Sequence, residues 1–105
     1  MSKKKPSPEH RRWNNAAAVV LAAARSDSDK HQKELAKLVG LSPHVMANIE
    51  TGRRRIELCD LIMICRALKL DPPKVLNMIL RWYELEITQG RRESGLPGNV
   101  RGGAP

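Results

Sequence analysis

Apolar residues of this chain recur at intervals of three and four in five stretches, each bounded by residues that cap a helix or turn the chain. That spacing lays an apolar stripe along a helix. Trp13, Ala17, Val20, Leu21 and Ala24 form the first stripe and predict a helix from Pro8 to Arg25. Ser7-Pro8-Glu9 opens it with a cap, a proline in the first turn and an acid at the positive end of the dipole. The polar run Arg25 to Asp29 reads as a loop. Leu35, Ala36 and Val39 make a second stripe, starting either at Asp29, with Gln32 as its capping-box partner, or at His31. Val45, Met46 and Ile49 make a third. In the fourth, opened by Ile56 or Glu57, the expected buried face is Leu58, Leu61, Ile62, Cys65 and Leu68, with Met63 and Ile64 off it. Asp71-Pro72-Pro73 restarts the chain, and a last helix from Pro72 to Gln89 is expected to end at Gly90. Its apolar residues cover more than one face.

The stretch from Gln32 to Gly52 organises the rest. Gly40 follows the second stripe directly, where a glycine turns the chain sharply in the left-handed conformation. Leu41 can drop into that hinge. Ser42-Pro43 then restarts a helix, the hydroxyl capping free N–H groups and the proline losing no intrahelical bond. Ala36 stands where two helices joined this way come closest, and a methyl is about all that fits. These features predict a helix-turn-helix, whose second helix can enter the DNA major groove.

Gln32, Leu35-Ala36, Gly40-Leu41-Ser42, Ile49-Glu50 with Gly52, Arg53-Arg54 and the run Leu61-Ile62 to Ala67-Leu68 resemble the Cro/cI-type (XRE) helix-turn-helix regulators. The likeness runs from about Arg25 to Leu76. His31 stands where that family usually has Ser or Thr, Met46 where it has Val or Ile, Ala47 where Ser is common and Ile56 where Pro is frequent. The resemblance implies an all-α, compact five-helix, lambda-repressor-like DNA-binding domain. It puts Pro43, His44, Ala47 and Asn48 on the base-reading face, with Thr51 at its edge. Asn48 can pair bidentately with adenine, His44 can donate to or accept from a base edge, and Ala47 can meet a thymine methyl. Gln32, Ser42, Arg53, Arg54 and Arg55 are the expected phosphate contacts. Glu50 resembles the family's structural acid, expected to hold the arginines that follow it.

Composition narrows the class further. Phenylalanine is absent, and Trp13, Trp82 and Tyr83 are the only aromatics. The Leu, Ile, Val, Met and Ala that remain suit closely packed helices rather than a β-sandwich. Cys59 and Cys65 fall on different faces of one helix, which prevents a mutual disulfide and fits a reduced, cytoplasmic, nucleoid-associated protein. His10, His31 and His44 are scattered, so no metal site is expected, and nothing calls for a cofactor. Neither a catalytic Ser/His/Asp set nor a phosphate-binding glycine loop is present, so the chain does not read as an enzyme. No apolar run is long enough for a membrane span.

The net charge of +8 is uneven. Residues 1–12 carry five basic and one acidic residue, and residues 90–105 three and one. Between the ends the excess concentrates at Arg53 to Arg55, a cluster that would steer the protein to phosphates. The expected organisation is a basic arm over 1–7, the domain over 8–89 with its motif at 32–52, and an unstructured tail over 90–105. Lysines 3 to 5 suit either a groove-binding arm or a solvated tail. The surplus apolar surface of the last helix predicts a homodimer interface at Ile79, Trp82 and Tyr83, for symmetric binding to a palindromic operator. The rival reading is an antitoxin-like module in which that helix and the tail bind a toxin-like protein partner and DNA binding is autoregulatory.

Overall fold

A computed structural model of the protein describes residues 7–93; residues 1–6 of the basic arm and 94–105 of the tail lie outside that range. Five α-helices follow one another, α1 (Pro8–Asp27), α2 (Gln32–Val39), α3 (Pro43–Glu50), α4 (Leu58–Ala67) and α5 (Pro72–Glu93), with no strand among the described residues. No described helix is long and apolar enough to cross a membrane. The long α1 packs against α5 and α3, while α2 lies against α3 and α4, and α4 against α5. One core joins all five. Ala16, Val20, Leu21 and Ala24 of α1 enclose it with Leu35, Ala36, Met46, Ile49, Ile64, Cys65, Val75 and Ile79. Both cysteines are free thiols, Cys59 exposed and Cys65 buried, and burial followed by the nearby Asp71 charge pushes the Cys65 pKa up.

The helix ends follow local chemistry. Ser7 Oγ accepts the His10 N–H (3.1 Å) and Pro8 takes the first helical position, as the sequence suggested. The far end of α1 runs two residues past the expected Arg25. There the Ser28 N–H bonds to the Ala24 and Arg25 carbonyls, and its hydroxyl donates to Ala24 O (2.9 Å). Asp29 does not cap α2. It sits in the left-handed region (φ 58°), a conformation Asp tolerates in a turn. The cap residue is His31, in extended conformation, and the Glu34 carboxylate accepts its N–H (3.1 Å).

Two apolar faces differ from the expected ones. In α4 the buried arc is Ile64, Cys65 and Leu68, while Leu58 is 71 % and Ile62 38 % exposed. Two overlapping arcs pass through Cys65 at helical spacing, and packing against α2 and α5 together selects the one containing Ile64. In α5, Ile79 is 4 % exposed and belongs to the core of the single chain, so it offers nothing to a partner. Tyr83 stacks on Trp13, ring centroids 3.6 Å apart and planes 8° from parallel, tying α5 to α1. Of the three residues expected at an interface, Trp82 alone is classed as exposed. The helix also continues through Gly90 to Glu93, since glycine inside a helix costs only about 1 kcal/mol.

Candidate nucleic-acid interface

The corner between α2 and α3 is made by backbone geometry. Gly40 has φ 75° and ψ 25°, and the Leu41 N–H reaches back to Ala36 O (2.9 Å), which ends α2 and turns the chain sharply. Ala36 has no exposed surface, as a close helix crossing demands. Ser42 Oγ then accepts the Val45 N–H (3.1 Å) and Pro43 starts α3. Met46 and Ile49 are fully buried and fix the rotation of α3 about its axis.

That rotation decides what faces outward. Pro43, His44 and Thr51 are exposed, and Ala47 and Asn48 are half-buried beside them. Asn48 Nδ2 and His44 Nε2 lie 3.3 Å apart, so the two polar groups project as one unit from the side opposite the core. With the amide donating, the ring nitrogen accepts, and the side-chain oxygen Oδ1 of Asn48 stays free for an outside donor. The Thr51 hydroxyl donates to Ala47 O (3.0 Å) or Asn48 O (3.3 Å), so toward a ligand it can only accept.

Glu50 does not hold the arginines that follow it. Its carboxylate, with the side chain 5 % exposed, meets the guanidinium of Arg25 from α1, Nε to Oε2 at 2.7 Å and Nη2 to Oε1 at 3.0 Å. Gln32 Nε2 adds a third bond (2.8 Å), so one donor of the expected phosphate contact is spent inside the domain. The hydrogen bond to Glu50 raises the Arg25 pKa above its ordinary value; desolvation works against it and the Glu50 charge adds to the rise. Arg25 Nη1 also donates to Lys30 O (2.6 Å), so one guanidinium joins α1, the loop after it and the end of α3.

No carboxylate among the described residues therefore pairs with Arg53, Arg54 or Arg55. Among the described residues the one salt bridge is Arg25–Glu50, and the three arginines are exposed. Their backbone, by contrast, is held. The Arg53 and Arg54 N–H groups both bond to Asn48 O (3.0 and 3.1 Å). Asn14 of α1, which sequence reasoning passed over, bonds to the same loop at Gly52, Arg54 and Ile56. The available signal was the Asn14-Asn15 pair itself, two weak helix formers in the middle of an alanine-rich helix.

Glu57, Cys59 and Asp60 bring ligand atoms within 4.8 Å of one another at the start of α4. The positive end of that helix opposes a cation there.

A family model described as a helix-turn-helix domain matches residues 16–77. No curated protein matches the chain. Among solved structures, one crystal structure of the clp gene regulator ClgR from Corynebacterium glutamicum is similar at a TM-score of 0.74 and 26 % identity. It covers 85 % of this chain and 92 % of its own. A second ClgR structure gives a TM-score of 0.62 at 26 % identity over 65 % of this chain and 88 % of that one. The restriction-modification controller protein C.AhdI from Aeromonas hydrophila shares the fold, with a TM-score of 0.55 at 24 % identity over 58 % and 92 % of the two chains.

Proposed function

This chain belongs to the helix-turn-helix domain family, in its Cro/cI-type (XRE) form, and from that footing we propose how it reads DNA. The protein is a DNA-binding transcription regulator. In our reading α3 lies in the major groove with its N-terminal end toward the bases. His44 and Asn48 read base edges as a coupled pair, Ala47 and Pro43 add apolar contact, and Thr51 accepts at the margin. Ser42, the remaining amide capacity of Gln32 and the arginines at 53 to 55 hold the phosphates. The observation that carries this is the shared outward projection of His44 and Asn48 from a helix whose other face is locked by Met46 and Ile49.

A single module of this size makes few base contacts, and a twofold pair on inverted half-sites doubles them. For that pair we propose the outer stripe of α5. Met78, Trp82 and Leu85 recur at four and three, are 49 %, 38 % and 56 % exposed, and lie to one side of the buried Val75–Ile79 line. This keeps Trp82 from the expected interface and replaces Ile79 and Tyr83, which the single chain already uses.

Selection of bound sequences from a random duplex pool tests the reading. Wild-type protein should enrich two inverted half-sites whose centres lie about one helical turn apart. Asn48→Ala should lose preference at one position per half-site, about 1–3 kcal/mol there, and keep the others. An Asn48→Ala profile identical to wild type would remove this residue from base reading, and enrichment of a lone half-site would remove the dimer.

A further inference from the structure

The arginine loop needs a fixed backbone if its long side chains are to meet phosphates without a large ordering cost. From one side the fixing is local, through the two N–H groups on Asn48 O. From the other it comes from a single side chain on a different helix. Asn14 Nδ2 donates to the carbonyls of Gly52 (3.2 Å) and Arg54 (3.3 Å), and its Oδ1 accepts the Ile56 N–H (2.9 Å). Every hydrogen bond its side chain makes goes to this segment, across 38 to 42 residues of sequence. The three bonds need donor and acceptor on one short, flat group. Aspartate lacks the donor, and glutamine places the same group one methylene further out. Gly52, where the loop begins, takes φ 80° and lies so close to α1 that an added Cβ would collide with Asn15 Oδ1, so the segment is seated as well as bonded.

We propose that Asn14 is the positioning residue of the phosphate-binding loop. By pinning the backbone at Gly52, Arg54 and Ile56 it keeps Arg53, Arg54 and Arg55 arranged for the DNA backbone before contact, without touching the duplex itself. The proposal rests on the regulator reading above. Its effect lies in the electrostatic part of affinity and leaves base preference alone.

The test is a mutant cycle on duplex affinity as a function of salt, with the full chain. In the wild-type background Asn14→Ala should weaken binding about tenfold and lower the salt dependence, because an arginine no longer held toward the duplex gives up its phosphate contact. In an Arg53→Ala/Arg54→Ala background the same change should have little effect, because nothing remains to be positioned. Asn14→Asp, which keeps the acceptor for Ile56 and loses the donor, should fall on the same side and serves if the alanine variant does not fold. Amide exchange of Ile56 in the free protein should quicken in Asn14→Ala, which removes its acceptor, and stay near wild type in Asn14→Asp, which keeps it.

Equal losses in both backgrounds would assign Asn14 to stability alone and overturn the proposal, as would unchanged affinity or, in Asn14→Ala, an unchanged Ile56 amide. A wild-type protein that binds no duplex would overturn the regulator reading and this proposal with it, an outcome visible before any variant is made.

Discussion

α3 is bracketed by two glycines with nearly the same positive φ, Gly40 at 75° and Gly52 at 80°, yet its two ends are held by different means. At the entrance every bond is local. Leu41 reaches back to Ala36, and Ser42 caps Val45. An added Cβ at Gly40 would meet nothing within 4 Å. At the exit, local bonds to Asn48 O are joined by contacts from α1: Arg25 on Glu50, Asn14 on the loop and Asn15 against Gly52. The entrance of α3 thus depends on its own few residues, and the exit depends on α1 being in place. Mutations at the two ends should separate accordingly.

The largest effect is expected at the exit. Arg25→Ala leaves the Glu50 carboxylate buried with Gln32 as its remaining partner, a change that should cost about 3 kcal/mol of folding stability. Replacing both members together, Arg25→Met with Glu50→Leu, should cost less than the single change because no charge is stranded. Denaturant unfolding of the three proteins measures this. A single variant no less stable than the double would mean that the pair does not fasten the exit of α3.

The same division governs what could be read from the letters. The corner at Gly40, the Ser42 cap and the alanine at the helix crossing rest on neighbours within a few residues, where spacing carries the information, while the outward pair His44 and Asn48 is placed by the resemblance to the Cro/cI-type regulators. Arg25 and Asn14 act across 25 to 42 residues, and nothing in one sequence says that a guanidinium at the end of the first helix will meet Glu50. Glu50 was recognisable as structural, but its partner was placed on the wrong side, among the arginines that follow it. Ile64 and Ile79 show the related limit. Where a helix has apolar residues on more than one face, periodicity allows several buried arcs, and the neighbouring helices choose.

The glycines give a middle-sized effect. Gly40→Ala should cost about 1–2 kcal/mol, the penalty of a left-handed Cβ. Gly52→Ala should add to a similar penalty about 0.5–1.5 kcal/mol for driving Asn15 off its rotamer. In an Asn15→Ala background that surplus should vanish and the two costs converge. If they are equal already with Asn15 present, its side chain moves aside freely, and Gly52 is needed for its backbone angle alone.

The smallest effect belongs to the entrance, where Ser42 has two separable uses. As a cap its oxygen accepts from Val45, so Ser42→Ala should cost about 1 kcal/mol of stability. Its own proton is not needed for that bond and remains free to donate outward, which is how it would meet a phosphate. Ser42→Asn keeps a capping acceptor while changing the reach of the donor. Stability near wild type in Ser42→Asn, with duplex affinity reduced as far as in Ser42→Ala, would assign the hydroxyl to DNA as well as to the helix. Affinity that merely follows stability through both variants would confine Ser42 to starting α3, leaving phosphate contact at this end to the half-committed amide of Gln32.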